Sequence, residues 1–207
     1  MKLRNKIVLA SRSPRRAMLL RQLDLFDVEI LPSGVDESLD HTLLRDPPRA
    51  AAALARRKGQ DVAARRPRDL VVAADTMVVC GGEIFNKPRD NAEAAAMLSA
   101  LSGRTHAVYT GLYLHRPERP PLECAECTLV TFRTLTQEEI DWYVATGEPA
   151  DKAGAYGAQE KGALFIERVE GDYTTVVGLP LCRLGIWLRR SVEFCVVGNN
   201  EVISNPK

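Results

Sequence analysis

The chain has no apolar run long enough to cross a membrane and no apolar signal core at its N-terminus. Residues 1–6 are mostly polar and lead directly into a first predicted strand. No window approaches the roughly 18 apolar residues of a membrane span. We therefore expect a cytoplasmic protein with no membrane partner.

Cysteines are few, and their number is odd. Cys124 and Cys127 form a single CxxC pair, with no second pair and no histidine at zinc-ligand spacing. This pattern argues against a disulfide framework and suits a reducing compartment. It gives little support to a metal or redox role. The five positions are Cys80, Cys124, Cys127, Cys182 and Cys195.

The chain also lacks a charge of one dominant sign. Its formal net charge is +1, so nothing in the composition favours a nucleic-acid polymer or an anionic membrane as a partner. A GxGxxG sequence is missing after the first predicted strand, which argues against a dinucleotide-dependent oxidoreductase. Basic residues therefore matter only where they cluster.

Internal repeats and low-complexity linkers are absent as well. The 207 residues, 45% hydrophobic and 27% charged, suit a single α/β domain. We expect that domain to span residues 1–190. Residues 191–207 form a C-terminal extension to which the pattern assigns no structure.

What is present begins with a basic turn between a strand and a helix. Residues 7–10 are apolar and predict a strand, and Ser13-Pro14 predicts a helix start with a capping serine and proline at the first position. The unpaired N–H groups of a helix N-terminus favour anions. Arginines there oppose the helix dipole unless an anion offsets them, although they could also be solvated surface charges. They are Arg12, Arg15 and Arg16.

A carboxylate follows the most apolar segment of the chain. Residues 69–74 predict a strand covered on both faces, and Asp75-Thr76 comes directly after it. In open α/β sheets, ligands bind at the carboxyl ends of strands. Asp75 is therefore a candidate catalytic residue, and the alternative is that it caps a turn.

Two further candidates lie between these segments. Asp36 and Glu37 follow a second predicted strand at 27–31. Such carboxylates are usually solvated, but beside a nucleotide they could hold a divalent ion. Lys58 lies on a helix predicted for residues 46–65, where a lysine either faces solvent or contacts a ligand.

The segment 149–159 is rich in glycine and alanine and predicts a loop that another group approaches closely. Asp151 and Lys152 form a charge pair in it. Gln159 supplies an amide that donates and accepts at once, as reading a nucleobase edge requires. The alternative is a spacer loop with incidental polar residues.

The other elements complete an α/β pattern. We expect a hairpin at 77–85, helices at 90–103 and 136–147, an antiparallel strand pair at 105–114 and 122–132, strands at 164–166 and 173–177, and a last helix ending near residue 190.

In their order along the chain, several short motifs resemble those of the Maf family of nucleoside triphosphate pyrophosphatases. The resemblance covers roughly residues 5 to 190. Arg12 and the pair Phe85-Asn86 depart slightly from the usual pattern. The motifs are Ser11-x-Ser13-Pro14-Arg15-Arg16, Ala74-Asp75-Thr76, Lys87-Pro88-Arg89-Asp90, Leu101-Ser102-Gly103, Asp151-Lys152-Ala153-Gly154-Ala155-Tyr156-Gly157-x-Gln159 and Val177-Gly178-Leu179-Pro180.

The resemblance implies an α/β fold with a single mixed, strongly twisted sheet, flanked by helices around a central substrate cleft. It implies a cytoplasmic hydrolase, often dimeric, that depends on a divalent cation, Mg²⁺ or Mn²⁺. The form of the segment 151–159 resembles the branch that converts dTTP and UTP to the monophosphate and pyrophosphate.

The resemblance also implies roles for individual residues. Asp75 matches the proton acceptor, and Glu37 with Asp75 would hold the metal. Arg15, Thr76 and Gln159 match substrate-selecting positions. The full predicted substrate-binding set is Ser11, Ser13, Arg15, Arg16, Lys58, Thr76, Lys87, Lys152 and Gln159.

Two other functions stay open at this point. One is the branch of the same family that acts on 7-methyl-GTP. The other is a regulator of cell division that senses a nucleotide without hydrolysing it, because phosphate-binding loops serve both purposes. Only hydrolysis needs a carboxylate beside a metal site.

Overall fold

A mixed sheet of seven strands frames the part of the chain that the structure, a computed structural model, describes, residues 5–189. The strand order is β2-β1-β3-β5-β6-β7, with β4 paired to β3. Strands β2, β1 and β3 are parallel, and the other pairs are antiparallel. The strands are β1 (Asn5–Leu9), β2 (Phe26–Ile30), β3 (Leu70–Cys80), β4 (Glu83–Phe85), β5 (Thr105–Arg116), β6 (Arg119–Phe132) and β7 (Ile166–Glu170). The predicted mixed sheet is confirmed.

Helices cover both faces of this sheet. Helix α3 packs on one face, whereas α1 and α7 pack on the other and are followed along that face by α4 and α5. The helices are α1 (Pro14–Arg21), α2 (His41–Leu44), α3 (Pro47–Arg65), α4 (Asn91–Leu101), α5 (Gln137–Ala145), α6 (Tyr173–Val177) and α7 (Leu181–Arg189). None of these helices is long and apolar enough to span a bilayer.

The helix starts confirm the capping signals in the sequence. Ser13, Asp46 and Asp90 each accept a hydrogen bond from a backbone N–H of the first turn. Thr136 and Glu139 form the reciprocal capping box of α5. Local side-chain chemistry therefore sets where these helices begin.

The prediction that Asp75 follows the end of a strand is wrong. Strand β3 continues to Cys80, because β5 pairs with it without interruption from Val71 to Val79. The opposite edge of β3 is not continuous. There β1 pairs only as far as Val72 and β4 begins at Val78, so Asp75 lies beside a break in the sheet edge.

Two glycines let α3 approach the sheet closely. A Cβ atom on Gly111 of β5 would lie 2.1 Å from the carbonyl oxygen of Ala51. A Cβ atom on Gly59 would lie 2.0 Å from the ring of Tyr113. Such distances are impossible for real atoms, so the residues at these two positions set the distance between α3 and the sheet.

The predicted strand at 173–177 is instead the helix α6. Its β-branched residues favour a strand, but Asp172 caps the first turn and Gly178, with φ of 116°, ends the last one. Tertiary context here overrides propensity. The predicted strand at 164–166 is wrong for its first two residues, which lie in a 3-10 turn at Lys161–Phe165, and β7 begins at residue 166.

The turn between β5 and β6 is tighter than predicted. Pro120 and Pro121 lie inside β6, where β7 pairs only with residues 129–132 and leaves the rest of that edge open. Proline is tolerated on an open edge. The predicted extension 191–207 lies outside the described residues, as does Cys195. The other four cysteines are free thiols.

His106 is a buried titratable group at the centre of an aromatic cluster. It is 2% exposed, its Nε2 lies 2.8 Å from the Tyr156 hydroxyl, and its Nδ1 has no hydrogen-bond partner in the described structure. The rings of Phe132 and Tyr156 pack on it edge to face. Burial lowers the pKa of His106 to about 4.

We expect this histidine to make stability depend on pH. Between pH 6.5 and 4 the unfolded chain binds a proton that the folded chain does not. The free energy of unfolding should therefore decrease by about 3 kcal/mol in total as the pH is lowered from 6.5 to 4. Urea denaturation at pH 7, 6, 5 and 4 measures it. His106→Gln should remove this component of the slope, whereas His115→Gln, at a half-buried site outside the aromatic cluster, should leave it. An equal slope in wild type and His106→Gln would contradict the assignment.

Candidate active site

A cleft of about 910 Å³ opens where the edge of β3 is interrupted. Its walls come from the loops after β1 and β2, from α3, from β3 and from the segment 151–159. Six Lys and Arg side chains and three carboxylates line it, so its charge is positive overall. It brings together all eleven predicted site residues: Ser11, Ser13, Arg15, Arg16, Glu37, Lys58, Asp75, Thr76, Lys87, Lys152 and Gln159.

Lys58 joins the two predicted acidic residues. Its Nζ lies 2.6 Å from Oδ1 of Asp75 and 3.0 Å from Oε1 of Glu37. The side chains of Lys58 and Asp75 are 9% and 12% exposed, whereas that of Glu37 is 62% exposed. The solvent-facing alternative for Lys58 is therefore wrong, and the ion pair compensates the charge of a carboxylate buried in the cleft.

Glu37 and Asp75 are also close enough to share a divalent ion. Both oxygens contact the same ammonium, so they lie no farther apart than the sum of those two distances. No cluster of three or more His, Cys, Asp or Glu suited to a metal occurs within residues 5–189. Mg²⁺ in nucleotide sites commonly takes one or two carboxylates together with phosphate oxygens and water. This donor pair fits that pattern.

Arg16 links three parts of the chain beneath the first helical turn. Its guanidinium donates to the carbonyl oxygen of Gly178 at 2.7 Å, to Oγ of Ser11 at 3.2 Å and to Oγ1 of Thr76 at 3.0 Å. Burial lowers the pKa of Arg16, and the charge of Asp75 partly offsets this. A guanidinium nevertheless stays charged, so a fixed positive charge lies inside the cleft.

Hydrogen bonds continue from Thr76 with a defined direction. Thr110 donates its only hydroxyl proton to the carbonyl oxygen of Thr175 at 2.8 Å. Its oxygen lies 2.9 Å from that of Thr76, so Thr76 must be the donor in that pair. Thr76 can then accept from Arg16. The chain runs from Arg16 through Thr76 and Thr110 to the backbone of α6.

Thr76 and Asp75 point to opposite faces of the sheet because they are neighbours on one strand. Asp75 meets α3 through Lys58, and Thr76 meets α1 through Arg16. The cleft therefore wraps around the interrupted edge of β3. It receives a carboxylate from one face and a guanidinium from the other.

Arg15 bridges the cleft to the opposite wall. It contacts Oδ2 of Asp151 at 3.1 Å, and the other oxygen of that carboxylate accepts from Nζ of Lys152 at 2.9 Å. Burial alone would raise the pKa of Asp151, but the hydrogen bond from Lys152 and the charge of Arg15 hold it below its usual value. Lys152 also donates to the carbonyl oxygen of Glu148 at 2.7 Å.

Other predicted residues have fewer constraints. Lys87 and Arg12 are exposed at the cleft, and neither has an ion-pair partner among residues 5–189. Ser11 accepts the N–H of Ser13, which in turn caps α1. Lys87 and Arg12 are thus available to bind an anion. The two serines instead hold the turn between β1 and α1.

Gln159 lines the cleft with its side-chain amide. Its Oε1 is buried without a hydrogen-bond partner in the described structure. Val78, Val108 and Val176 are among the apolar residues that line the same cleft. A buried carbonyl oxygen without a donor is costly, so this arrangement favours a ligand that supplies an N–H group.

Sequence reasoning missed several residues that hold the site in place. Thr110 and Thr175 orient Thr76, and Tyr143 with Glu148 supports the segment that carries Gln159. No local motif marks them, because their partners come from distant parts of the chain. Thr110 could have been identified only from the pairing of β3 with β5, which places it opposite Thr76.

Comparison with known proteins matches nearly the whole described chain. The family described as Maf-like protein matches residues 6–191. A relative in Moorella thermoacetica named dTTP/UTP pyrophosphatase is 52% identical over 182 residues, covering 87% of this chain and 92% of the relative. Relatives with the same name in Bacillus pumilus and Pyrococcus furiosus are each 46% identical, covering 86% and 85% of this chain and 93% and 90% of their own lengths.

Solved structures are more distantly similar. A HAM1 protein from Coxiella burnetii is 16% identical with a TM-score of 0.47, covering 90% of this chain and 99% of its own. A nucleoside-triphosphatase/dITP/XTP pyrophosphatase from Mycobacterium abscessus is 21% identical with a TM-score of 0.39, covering 61% of this chain and 74% of its own.

Removing the Thr110 hydroxyl should destabilise the fold. Thr110→Val keeps the shape but leaves the Thr76 hydroxyl without an acceptor and the Thr175 carbonyl without a donor, at a cost of about 1–3 kcal/mol in the free energy of unfolding. Thr110→Ser keeps both bonds and should lie much closer to wild type. Urea denaturation of the three proteins measures these differences. A valine variant as stable as wild type would contradict the donor and acceptor roles assigned to Thr76 and Thr110.

Proposed function

The chain belongs to the Maf family, and from that premise we propose that it hydrolyses dTTP and UTP to the monophosphate and pyrophosphate, by attack of water on the α-phosphorus. The arrangement that carries this proposal is the buried carboxylate of Asp75, held by Lys58 and close to Glu37, in a cleft with a surplus of positive charge. Relatives named for this activity support it.

The triphosphate would bind along the cationic wall. A triphosphate carries about four negative charges, and phosphoryl transfer depends mainly on positioning and on charge stabilisation. Arg16 offers a fixed charge, Lys87 is free to reach the ligand, and the N-terminus of α1 contributes its unpaired N–H groups. Arg15 would exchange its contact with Asp151 for phosphate oxygens.

Asp75 would orient water and accept its proton. We propose that Glu37 and Asp75 hold a divalent cation, Mg²⁺ or Mn²⁺, together with substrate oxygens. Such an ion supplies charge neutralisation on the phosphates and lowers the pKa of water near it. Lys58 pairs with Asp75 and is itself placed to contact phosphate once the carboxylates have another cation.

Gln159 would select the base. Uracil and thymine offer one N–H between two carbonyl oxygens, and the buried Oε1 of Gln159 can accept that N–H while the amide nitrogen donates to an adjacent carbonyl. Cytosine presents an acceptor at the same ring position. Valines that line the same cleft would cover the faces of the ring.

The setting of the enzyme is also part of the proposal. We expect it to act in the cytoplasm on free nucleotides rather than on nucleic-acid polymers, which the net charge of +1 supports. A homodimer, and a catalytic domain that ends near residue 190, rest on the family resemblance.

Asp75→Asn should keep nucleotide binding and lose turnover. The amide cannot accept a proton, so kcat for dTTP should fall by at least about a hundredfold. The Kd of a non-hydrolysable dTTP analogue should change only slightly. Pyrophosphate release and calorimetry measure the two quantities. Asp141→Asn, the same change on the surface of α5, should behave as wild type, and near-normal turnover in Asp75→Asn would remove Asp75 from the mechanism.

The same assay separates an enzyme from a nucleotide sensor. Pyrophosphate release by the wild-type protein should stop in EDTA and return with excess Mg²⁺ or Mn²⁺. Tight binding of dTTP without any pyrophosphate release, with either metal present, would favour the non-enzymatic regulator instead.

Base selection should depend on Gln159. The wild-type kcat/KM for dTTP and UTP should exceed that for CTP, GTP and 7-methyl-GTP, and Gln159→Leu should reduce this preference by about tenfold or more. Gln137→Leu, on the surface of α5, is the matched control. A screen in which 7-methyl-GTP, GTP or CTP is the best substrate would refute the proposed specificity.

A further inference from the structure

The loop 157–162, which carries Gln159, is held by side chains from three other parts of the chain. Tyr143 of α5 is fully buried, and its hydroxyl accepts the backbone N–H of Gly157 at 3.0 Å. The same hydroxyl donates to Oε1 of Glu148 at 2.7 Å. The start of the loop is therefore tied to α5 through one phenol.

Glu148 holds the other end of the loop. Its carboxylate accepts the backbone N–H groups of Lys161 at 3.1 Å and Gly162 at 3.2 Å. The side chain of Glu148 is only 4% exposed, so these bonds are not exchanged readily for water. Burial and the bond to Glu148 raise the pKa of Tyr143, which keeps the phenol protonated as a donor.

A third contact lies next to Gln159. The hydroxyl of Tyr173 on α6 donates to the carbonyl oxygen of Ala158 at 2.9 Å. The glycine at 162 permits the close packing of this loop, because a Cβ atom there would lie 2.8 Å from the Tyr143 hydroxyl and 2.7 Å from the carbonyl oxygen of Gly157. The backbone on both sides of Gln159 is thus fixed by groups outside the cleft wall.

These contacts determine where the Gln159 amide can lie. Its Oε1 is buried and without a partner, so nothing in the described structure fixes the amide except its own backbone and packing. A shift of the loop by a fraction of an ångström would change the alignment of the amide with a base edge, and hydrogen bonds weaken steeply with misalignment. Selectivity then depends on the loop anchors.

We propose that Tyr143, Glu148 and Tyr173 are positioning residues for base selection, which set the pyrimidine preference by fixing the loop that carries Gln159. This inference rests on the function proposed above. None of the three side chains lines the cleft, and Glu148 meets Lys152 through its backbone carbonyl, so changes to these side chains should affect discrimination between bases more than the chemical step.

The test compares two substrates on the same enzyme sample. The ratio of kcat/KM for dTTP to kcat/KM for CTP is independent of the fraction of folded protein, because that fraction cancels. Tyr143→Phe removes one hydroxyl, and we expect the ratio to fall by about tenfold, mainly through KM for dTTP. Tyr173→Phe, which removes a single bond at a half-exposed residue, should lower the ratio less but in the same direction.

Tyr113→Phe is the matched control, since Tyr113 is buried between β5 and α3 and does not contact the loop. Its ratio should equal that of wild type. An unchanged ratio in Tyr143→Phe and Tyr173→Phe would overturn the inference, as would an equal loss in Tyr113→Phe. If Tyr143→Phe does not fold, Tyr173→Phe decides alone. A wild-type protein without preference for dTTP over CTP would instead refute the proposed function itself.

Discussion

The interrupted edge of β3 is the constraint on which the rest of this structure depends. On one side β3 is paired to β5 without a gap, which keeps its backbone in a regular ladder through Asp75 and Thr76. On the other side β1 stops at Val72 and β4 starts at Val78. A rigid strand with one unpaired stretch can present two neighbouring side chains to both faces of the sheet at once. The cleft forms around that stretch.

Charge compensation then explains how the cleft accommodates its charged side chains. Buried charges are costly unless they are paired. Lys58 is neutralised by Asp75 and Glu37, and Arg15 by Asp151, so these two cations already have acidic partners, whereas Lys87 is exposed and has no ion-pair partner among residues 5–189. On the proposed function, binding a triphosphate with a metal would exchange these partners rather than create charges in a dry site. Such an exchange would avoid most of the desolvation cost.

The sequence predicted local features well and long-range ones poorly, for a physical reason. Capping serines, threonines and aspartates act within four residues, so the starts of α1, α3, α4 and α5 were correctly expected. The helical state of residues 173–177 and the continuation of β3 past Asp75 depend on contacts with distant elements, and both predictions were wrong. The site residues were predicted from short motifs and from the order of those motifs along the chain. Thr110, Tyr143 and Glu148 belong to no motif and were missed.

The proposed selectivity and the proposed catalysis depend on different parts of the molecule. Asp75 and Lys58 are fixed by β3 and α3, whose separation is set by backbone contacts at Gly59 and Gly111. Gln159 stands on a loop whose geometry comes from a few hydrogen bonds to side chains of α5, of α6 and of the turn after α5. Sheet and helix backbones tolerate little displacement, whereas a loop held by side chains shifts when one of them changes. On the proposed function, substitution of Tyr143, Glu148 or Tyr173 would therefore alter which base is accepted, while Asp75 and Lys58 remain in place.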